Sequence, residues 1–156
     1  MSTRQFRHAY LGTLITLVVQ FMFGMATNLF VTVPTNHPGA NPPEYFKGVA
    51  QSVLWAITHE PVWLVVHAVL GLVLVIFGFG VLVSTIRSHN RLAIWTSAVG
   101  AIAILAAGFN GGSYLNYHED FSSMIMASFF AIAVIAYVIG LWGFPLPQES
   151  RSSAAP

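Results

Sequence analysis

Long apolar runs, separated by short polar segments, dominate the chain. The four runs cover about residues 9–33, 61–86, 92–109 and 121–142. A helix needs about 17–25 residues to cross the hydrocarbon core of a bilayer, and each run is long enough to do so. None of the runs alternates between apolar and polar residues as the strands of a membrane barrel do. The pattern therefore predicts an all-α membrane protein with four transmembrane helices in an up-down bundle, in one domain over residues 1–156.

Proline and glycine residues separate the four runs and predict where the helices begin and end. Pro61 is expected in the first turn of the second helix, where its missing N–H costs little. Gly111 and Gly112 are expected to end the third helix. The other breakers follow the first and fourth runs: Pro34, Pro38, Gly39, Pro42, Pro43, Pro145 and Pro147.

A fifth helix is predicted in the long connection between the first two runs. The segment 43–58, PEYFKGVAQSVLWAIT, places apolar side chains at helical spacing, with Glu44, Lys47, Gln51 and Ser52 mostly on the other side. This pattern is typical of an amphipathic helix that lies in the membrane interface. We expect the helix to form a lid over the outer mouth of the bundle.

The composition argues against a soluble protein and excludes several kinds of site. Charged residues make up 7% of the chain and hydrophobic residues 56%, whereas a soluble domain carries roughly 25% charged residues. The absence of cysteine excludes disulfides, thiolate metal sites and iron–sulfur clusters. The sequence has no basic patch for nucleic acid and no G-x-S-x-G or H-E-x-x-H motif, so a hydrolase is not expected.

The distribution of charged residues predicts the orientation of the bundle. One side carries a single acid, Glu149, and five arginines: Arg4, Arg7, Arg87, Arg91 and Arg151. The other side carries one lysine, Lys47, and four acids: Glu44, Glu60, Glu119 and Asp120. Because cytoplasmic connections are rich in Lys and Arg, we expect both termini in the cytoplasm and a location in the plasma membrane, as in the bacterial inner membrane. The first run is too long for a signal peptide and is interpreted as a retained helix.

Small and polar residues predict the inward face of each helix, because they mark helix contacts in lipid. Gln20, near the middle of the membrane, is expected to bond to another helix. No Asp, Glu, Lys or Arg lies inside a run, which argues against ion pumps and proton-coupled transporters. The predicted inward stripes are Thr13, Thr16, Gln20, Gly24 and Thr27 in the first helix, His67, Gly71, Leu74 and Gly78 in the second, Gly100, Ala103, Ala107 and Gly111 in the third, and Ser123, Ala127 and Ala131 in the fourth.

Three of the six histidines are candidate ligands near the outer end of the bundle. His67 is the only histidine well inside a run, and a buried ionisable group in a membrane is a functional hypothesis by default. The alternative for His67 is a neutral imidazole that bonds to a neighbouring helix. His59 and His118 stand at the outer ends of the second and fourth helices. We assign His67 and His118 as cofactor ligands, with His59 as a third ligand for a metal.

Other polar and sulfur-containing side chains are assigned to the surroundings of this site. Asp120 is expected to be the N-cap of the fourth helix, because it directly precedes the apolar run. His118 and Glu119 are not explained by that cap. The side chains expected to surround the ligands or line the approach to them are Glu60, Glu119, Gln20, Met25 and Met124.

Three functions remain open at this point. The first is a redox module that holds haem b, a transition metal or a quinol between helices, in which case His67→Ala removes the haem or metal and His37→Ala does not. The second is a cofactor-free accessory subunit of a larger membrane complex. The third is an oligomeric channel or transporter for an uncharged solute. A visible spectrum and elemental analysis test the first function, and a co-purifying partner separates the other two.

Overall fold

The computed structural model describes residues 3–143, which form five helices and no strand. The helices are α1 (Thr3–Phe30), α2 (Tyr45–His59), α3 (Val62–Ile86), α4 (Arg91–Tyr117) and α5 (Asp120–Trp142). Four of these, α1, α3, α4 and α5, are long and apolar enough to cross a membrane. The prediction of an all-helical chain with four such helices is confirmed. The residues Pro145, Pro147, Glu149 and Arg151, used above to predict the last helix end and the orientation, lie outside the described range.

The predicted end of the third apolar helix is wrong. Helix α4 continues through Gly111 and Gly112 and ends at Tyr117. Both glycines make room for a neighbour: a Cβ on Gly112 would lie 2.7 Å from Val49 Cγ1, and one on Gly111 would lie 3.3 Å from Met126 Sδ. Glycine in a membrane helix allows close approach of another helix, and here that use outweighs its tendency to end helices.

The first helix also differs from its predicted bounds. It begins at Thr3 and ends at Phe30, so the last three residues of the predicted run belong to the loop that follows. The segment 31–44, called the 31–44 loop below, connects α1 to α2. Helix α2 contacts α3 and α4, while each of the four long helices contacts two of the others: α1 packs on α3 and α5, and α4 packs on α3 and α5.

Two tyrosines fill the core near the start of α1. Tyr10 and Tyr137 are fully buried, with ring centres 5.3 Å apart in an edge-to-face arrangement. Gly100 leaves space for the Tyr137 ring, since a Cβ there would lie 2.6 Å from Tyr137 Cε2. Nearby, the hydroxyls of Thr85 and Ser97 lie 2.6 Å apart and join α3 to α4. The large aromatic rings therefore take the space that small residues leave at this end.

The predicted inward stripe is wrong for α5 only. The stripes of α1, α3 and α4 are buried or half-buried. In α5, however, Ala127 and Ala131 are exposed. The insertion of Tyr137 between α1 and α4 fixes the rotation of α5, and that rotation turns the small stripe outward. The buried residues of α5 are Ser122, Ala133, Ala136, Tyr137 and Gly140.

Candidate functional site

His67 joins α3 to α1 through two hydrogen bonds. Its Nδ1 donates to the backbone carbonyl of Gln20 at 3.2 Å, and Gln20 Nε2 donates to the carbonyl of His67 at 3.0 Å. Gln20 Nε2 also lies 3.4 Å from His67 Nε2. Because one ring nitrogen faces an acceptor and the other a donor, the neutral imidazole satisfies both.

Gly24 makes the close approach of this ring possible. A Cβ at position 24 would lie only 2.9 Å from His67 Cε1. The small residue that the sequence places one turn after Gln20 therefore accommodates the imidazole. Gln20 hydrogen-bonds to another helix as predicted, and its partner is His67.

His118 ends α4 in a left-handed conformation. Its φ and ψ are 58° and 29°, and its backbone N–H donates to the carbonyl of Tyr114 at 2.8 Å. Its Nε2 lies 3.2 Å from the carbonyl of Pro34. His118 therefore closes the helix and joins its end to the 31–44 loop.

The remaining predicted site residues lie apart from a common centre. His59 is the exposed last residue of α2, and its Nδ1 lies 2.6 Å from Thr58 Oγ1. Glu60 follows it as the half-buried C-cap. Met25 and Met124 are 43% and 56% exposed, so they face away from the helix contacts.

Asp120 does not occupy the N-cap position that the sequence predicts. Glu119 is the N-cap of α5, and no side chain makes a cap hydrogen bond there. Asp120 is the first residue of the helix, where a negative charge still interacts favourably with the helix dipole. Both carboxylates are exposed.

Within residues 3–143, no group of three or more His, Cys, Asp or Glu side chains is placed to hold a metal ion. His67, His118 and His59 therefore do not form a three-residue metal centre. His67 bonds to α1, His118 to the 31–44 loop, and His59 to its own helix. The polar contacts of these three histidines are contacts within the protein.

Sequence analysis missed the most buried histidine in the described chain. His37 is 8% exposed, and the other five histidines are half-buried or exposed. Its Nδ1 lies 3.0 Å from the carbonyl of Pro38, and its Nε2 lies 3.0 Å from the carbonyl of Leu115. The ring stacks on the indole of Trp55, with centres 4.0 Å apart and planes 10° apart. His37 therefore joins the 31–44 loop to both α2 and α4.

Asn116, at the end of α4, is the second residue that sequence analysis missed. It is fully buried. In the amide orientation that satisfies its neighbours, Nδ2 lies 2.6 Å from Ser52 Oγ and 3.2 Å from the carbonyls of Gly39 and Gly112, and Oδ1 accepts from the amide of Val49 at 3.3 Å. One side chain thus bonds to the 31–44 loop, to α2 and to its own helix. The placement of Ser52 on the polar side of α2 was wrong, because this residue is fully buried against Asn116.

The 31–44 loop caps the end of α4. The last carbonyls of a helix have no partner within the helix, and here two of them bond to the loop. The carbonyl of Leu115 accepts from His37, and that of Asn116 accepts from the amide of Asn41 at 2.9 Å. The sequence clue to this cap was the presence of His37 and Asn41 among the prolines of NHPGANPP. The clue could not be used, because the predicted helix end at Gly112 leaves Leu115 and Asn116 outside the helix.

The end of the bundle built from the 31–44 loop, α2 and residues 117–120 is called the α2 end below. It holds a network in which imidazole and amide side chains bond to backbone carbonyls of other elements. No known family model, curated protein or solved structure matches this chain.

Proposed function

We propose that this protein is an accessory subunit that binds a helix of a larger membrane complex through the outward face of α5. The observation that carries the proposal is the exposed small-residue surface formed by Ala127, Ser128 and Ala131. Ser128 Oγ donates to the carbonyl of Met124 at 2.9 Å, so its hydroxyl is satisfied within its own helix. This surface of three small residues is called the α5 notch below.

Small residues at four-residue spacing favour contact between helices in lipid, because they allow the backbones to approach closely. In α1, α3 and α4 the corresponding residues lie against neighbours in the chain. Larger exposed side chains flank the α5 notch, including Met124 at 56% and Ile132 at 43%. Met124 and Ile132 lie one turn before and one turn after Ser128, so a helix that packs along this face gains van der Waals contact over several turns.

The bonds made by the histidines support a structural role over a redox one. A histidine that ligates haem iron or a metal must offer the free electron pair of a ring nitrogen. Both nitrogens of His37 instead face backbone carbonyls. In His67, Nδ1 faces the carbonyl of Gln20 and Nε2 faces the Gln20 side-chain amide at 3.4 Å. These side chains stabilise contacts between helices, which an accessory subunit needs.

We also propose an up-down arrangement with both termini in the cytoplasm and α2 at the outer surface of the membrane. Contacts such as Gln20–His67 and Phe23–Trp63 pair later residues of α1 with earlier residues of α3, as antiparallel neighbours do. On α2, Phe46 and Leu54 are 66% and 64% exposed beside the polar Lys47. Large exposed apolar side chains on this helix suit contact with lipid at the membrane interface.

The test uses single cysteines, because the natural chain has none. Ala127→Cys is cross-linked in native membranes, with Ile76→Cys on α3, which is 74% exposed, as the matched control. We expect Ala127→Cys alone to form a product with a second protein. A product of twice the mass of this chain would identify a homo-oligomer and contradict the proposal.

Substitution of the α5 notch gives an independent test. Ala131→Leu fills the notch and is expected to remove the partner from the purified complex, whereas Val83→Leu, at an exposed position on α3, should retain it. The redox module would be favoured instead if the purified protein shows haem absorbance or stoichiometric metal and the His67→Ala variant loses it.

A further inference from the structure

We propose that His37 is a proton-operated clasp, which holds the 31–44 loop against α2 and α4 when its imidazole is doubly protonated and releases the loop when the proton is lost. The proposal is independent of the α5 notch. It rests on the partners of the two ring nitrogens and on the burial of the ring.

Both ring nitrogens of His37 face hydrogen-bond acceptors. The carbonyl oxygens of Pro38 and Leu115 lie 3.0 Å from Nδ1 and Nε2 respectively. A carbonyl only accepts, so both nitrogens must donate, and only the imidazolium carries a hydrogen on each. His67 is the opposite case, since its nitrogens face one acceptor and one donor.

Burial disfavours a positive charge on His37, and two neighbouring groups offset this cost. The indole of Trp55, from α2, lies face to face with the ring at 4.0 Å, a geometry in which an aromatic face attracts a cation. The carbonyl of Leu115 belongs to the last turn of α4, where the helix dipole also favours a cation.

The ionisable groups near the clasp do not compete for its two bonds. His118, after α4, has its ring centre 6.0 Å from that of His37, and its Nε2 bonds to Pro34. Glu44, at the end of the 31–44 loop, accepts from the amides of Phe46 and Lys47. Glu119 and Asp120 are exposed.

The loss of one proton breaks the clasp at one of its two ends. An imidazole changes its charge between about pH 5 and 8. The neutral ring has one N–H, so either the Pro38 or the Leu115 carbonyl loses its donor in a buried place, which is costly. Opening the loop exposes that carbonyl to water. The loop is therefore held more tightly in acid than in mild alkali.

Hydrogen–deuterium exchange on the full chain tests the proposal, with rates corrected for the intrinsic effect of pH. Protection of the Asn41 amide, which bonds to Asn116, should fall about tenfold between about pH 5 and pH 8, as expected for a buried acceptor that loses its donor. In His37→Gln the corrected protection should be the same at both pH values. His59→Gln, at an exposed histidine, should behave as the wild type.

Equal protection of the wild type at both pH values would overturn the clasp, as would a pH dependence that persists in His37→Gln or disappears in His59→Gln. Nitrogen NMR of the wild-type His37 ring provides a test that needs no variant. Two protonated nitrogens in acid and one in alkali are expected, and a ring that stays neutral across this range would also exclude the clasp.

Discussion

Gln20 and His67 each bond through the side chain to the backbone carbonyl of the other. The two bonds measure 3.0 and 3.2 Å and cross from α1 to α3. Within lipid no water replaces such a bond when it breaks. The one strongly polar side chain and the one histidine well inside the apolar runs thus bond to each other, although the buried Gln20 Oε1 has no hydrogen-bond partner within residues 3–143.

This pair predicts a measurable coupling. Gln20→Leu and His67→Leu should each lower the free energy of unfolding, and the double variant should lose less than the sum. We expect a coupling energy of about 1 kcal/mol, in the range measured for polar pairs in membrane proteins. Unfolding of the purified protein in mixed micelles measures it. Val73→Ala, at a position that is 48% exposed on α3, is the control, and strict additivity would contradict the pair.

The hydrogen bonds of Asn116 are expected to hold the 31–44 loop and α2 to the end of α4. Asn116→Ala removes the bonds to Ser52 and Gly39 and leaves buried groups without a partner. We expect a loss of about 1–3 kcal/mol and faster proteolysis within residues 31–59. Asn110→Ala is the matched control, because the Asn110 amide bonds only to the carbonyl of Ala106 in its own helix among the contacts described. Equal effects of the two substitutions would show that Asn116 does not hold the α2 end.

The two core tyrosines predict opposite effects of the same substitution. Tyr10 Oη donates to the carbonyl of Ala93 at 2.8 Å and lies 3.0 Å from Thr96 Oγ1, whereas the buried Tyr137 Oη has no hydrogen-bond partner within residues 3–143. Tyr10→Phe should cost about 1 kcal/mol, and Tyr137→Phe should be neutral or stabilising, since it removes an unsatisfied buried hydroxyl. Thermal unfolding compares the two variants. A larger loss for Tyr137→Phe would contradict the bonds described.

The arginine distribution predicts the side of the membrane on which each connection lies. Thr35→Cys in the 31–44 loop and His89→Cys between α3 and α4 are both at exposed positions in a chain without cysteine. An impermeant maleimide should label Thr35→Cys in intact cells and His89→Cys only after permeabilisation, because arginine-rich connections stay in the cytoplasm. The reverse pattern would invert the bundle and place the His37 clasp inside the cell.

The candidate site was only partly predictable. Gln20 and His67 were identified as polar residues on inward stripes, because a polar group in lipid needs a partner. His37 and Asn116 were missed. Their bonds depend on where α4 ends, and glycine gave the wrong signal: Gly112 was expected to stop the helix, whereas it lies against Val49 of α2.

The apolar runs by themselves determined that the chain is helical and that four helices are long enough to cross a membrane, because a bilayer admits few other backbone structures for such segments. The rotation of α5 and the partners of each histidine were decided only by the tertiary structure. A helix of mostly apolar residues has several faces of similar hydrophobicity in lipid, so the fit between side chains determines which face packs inward. In α5 the fit of the Tyr137 ring beside Gly100 determines it. Likewise, whether an imidazole holds a loop or a ligand depends on the atoms that other elements bring to its two nitrogens.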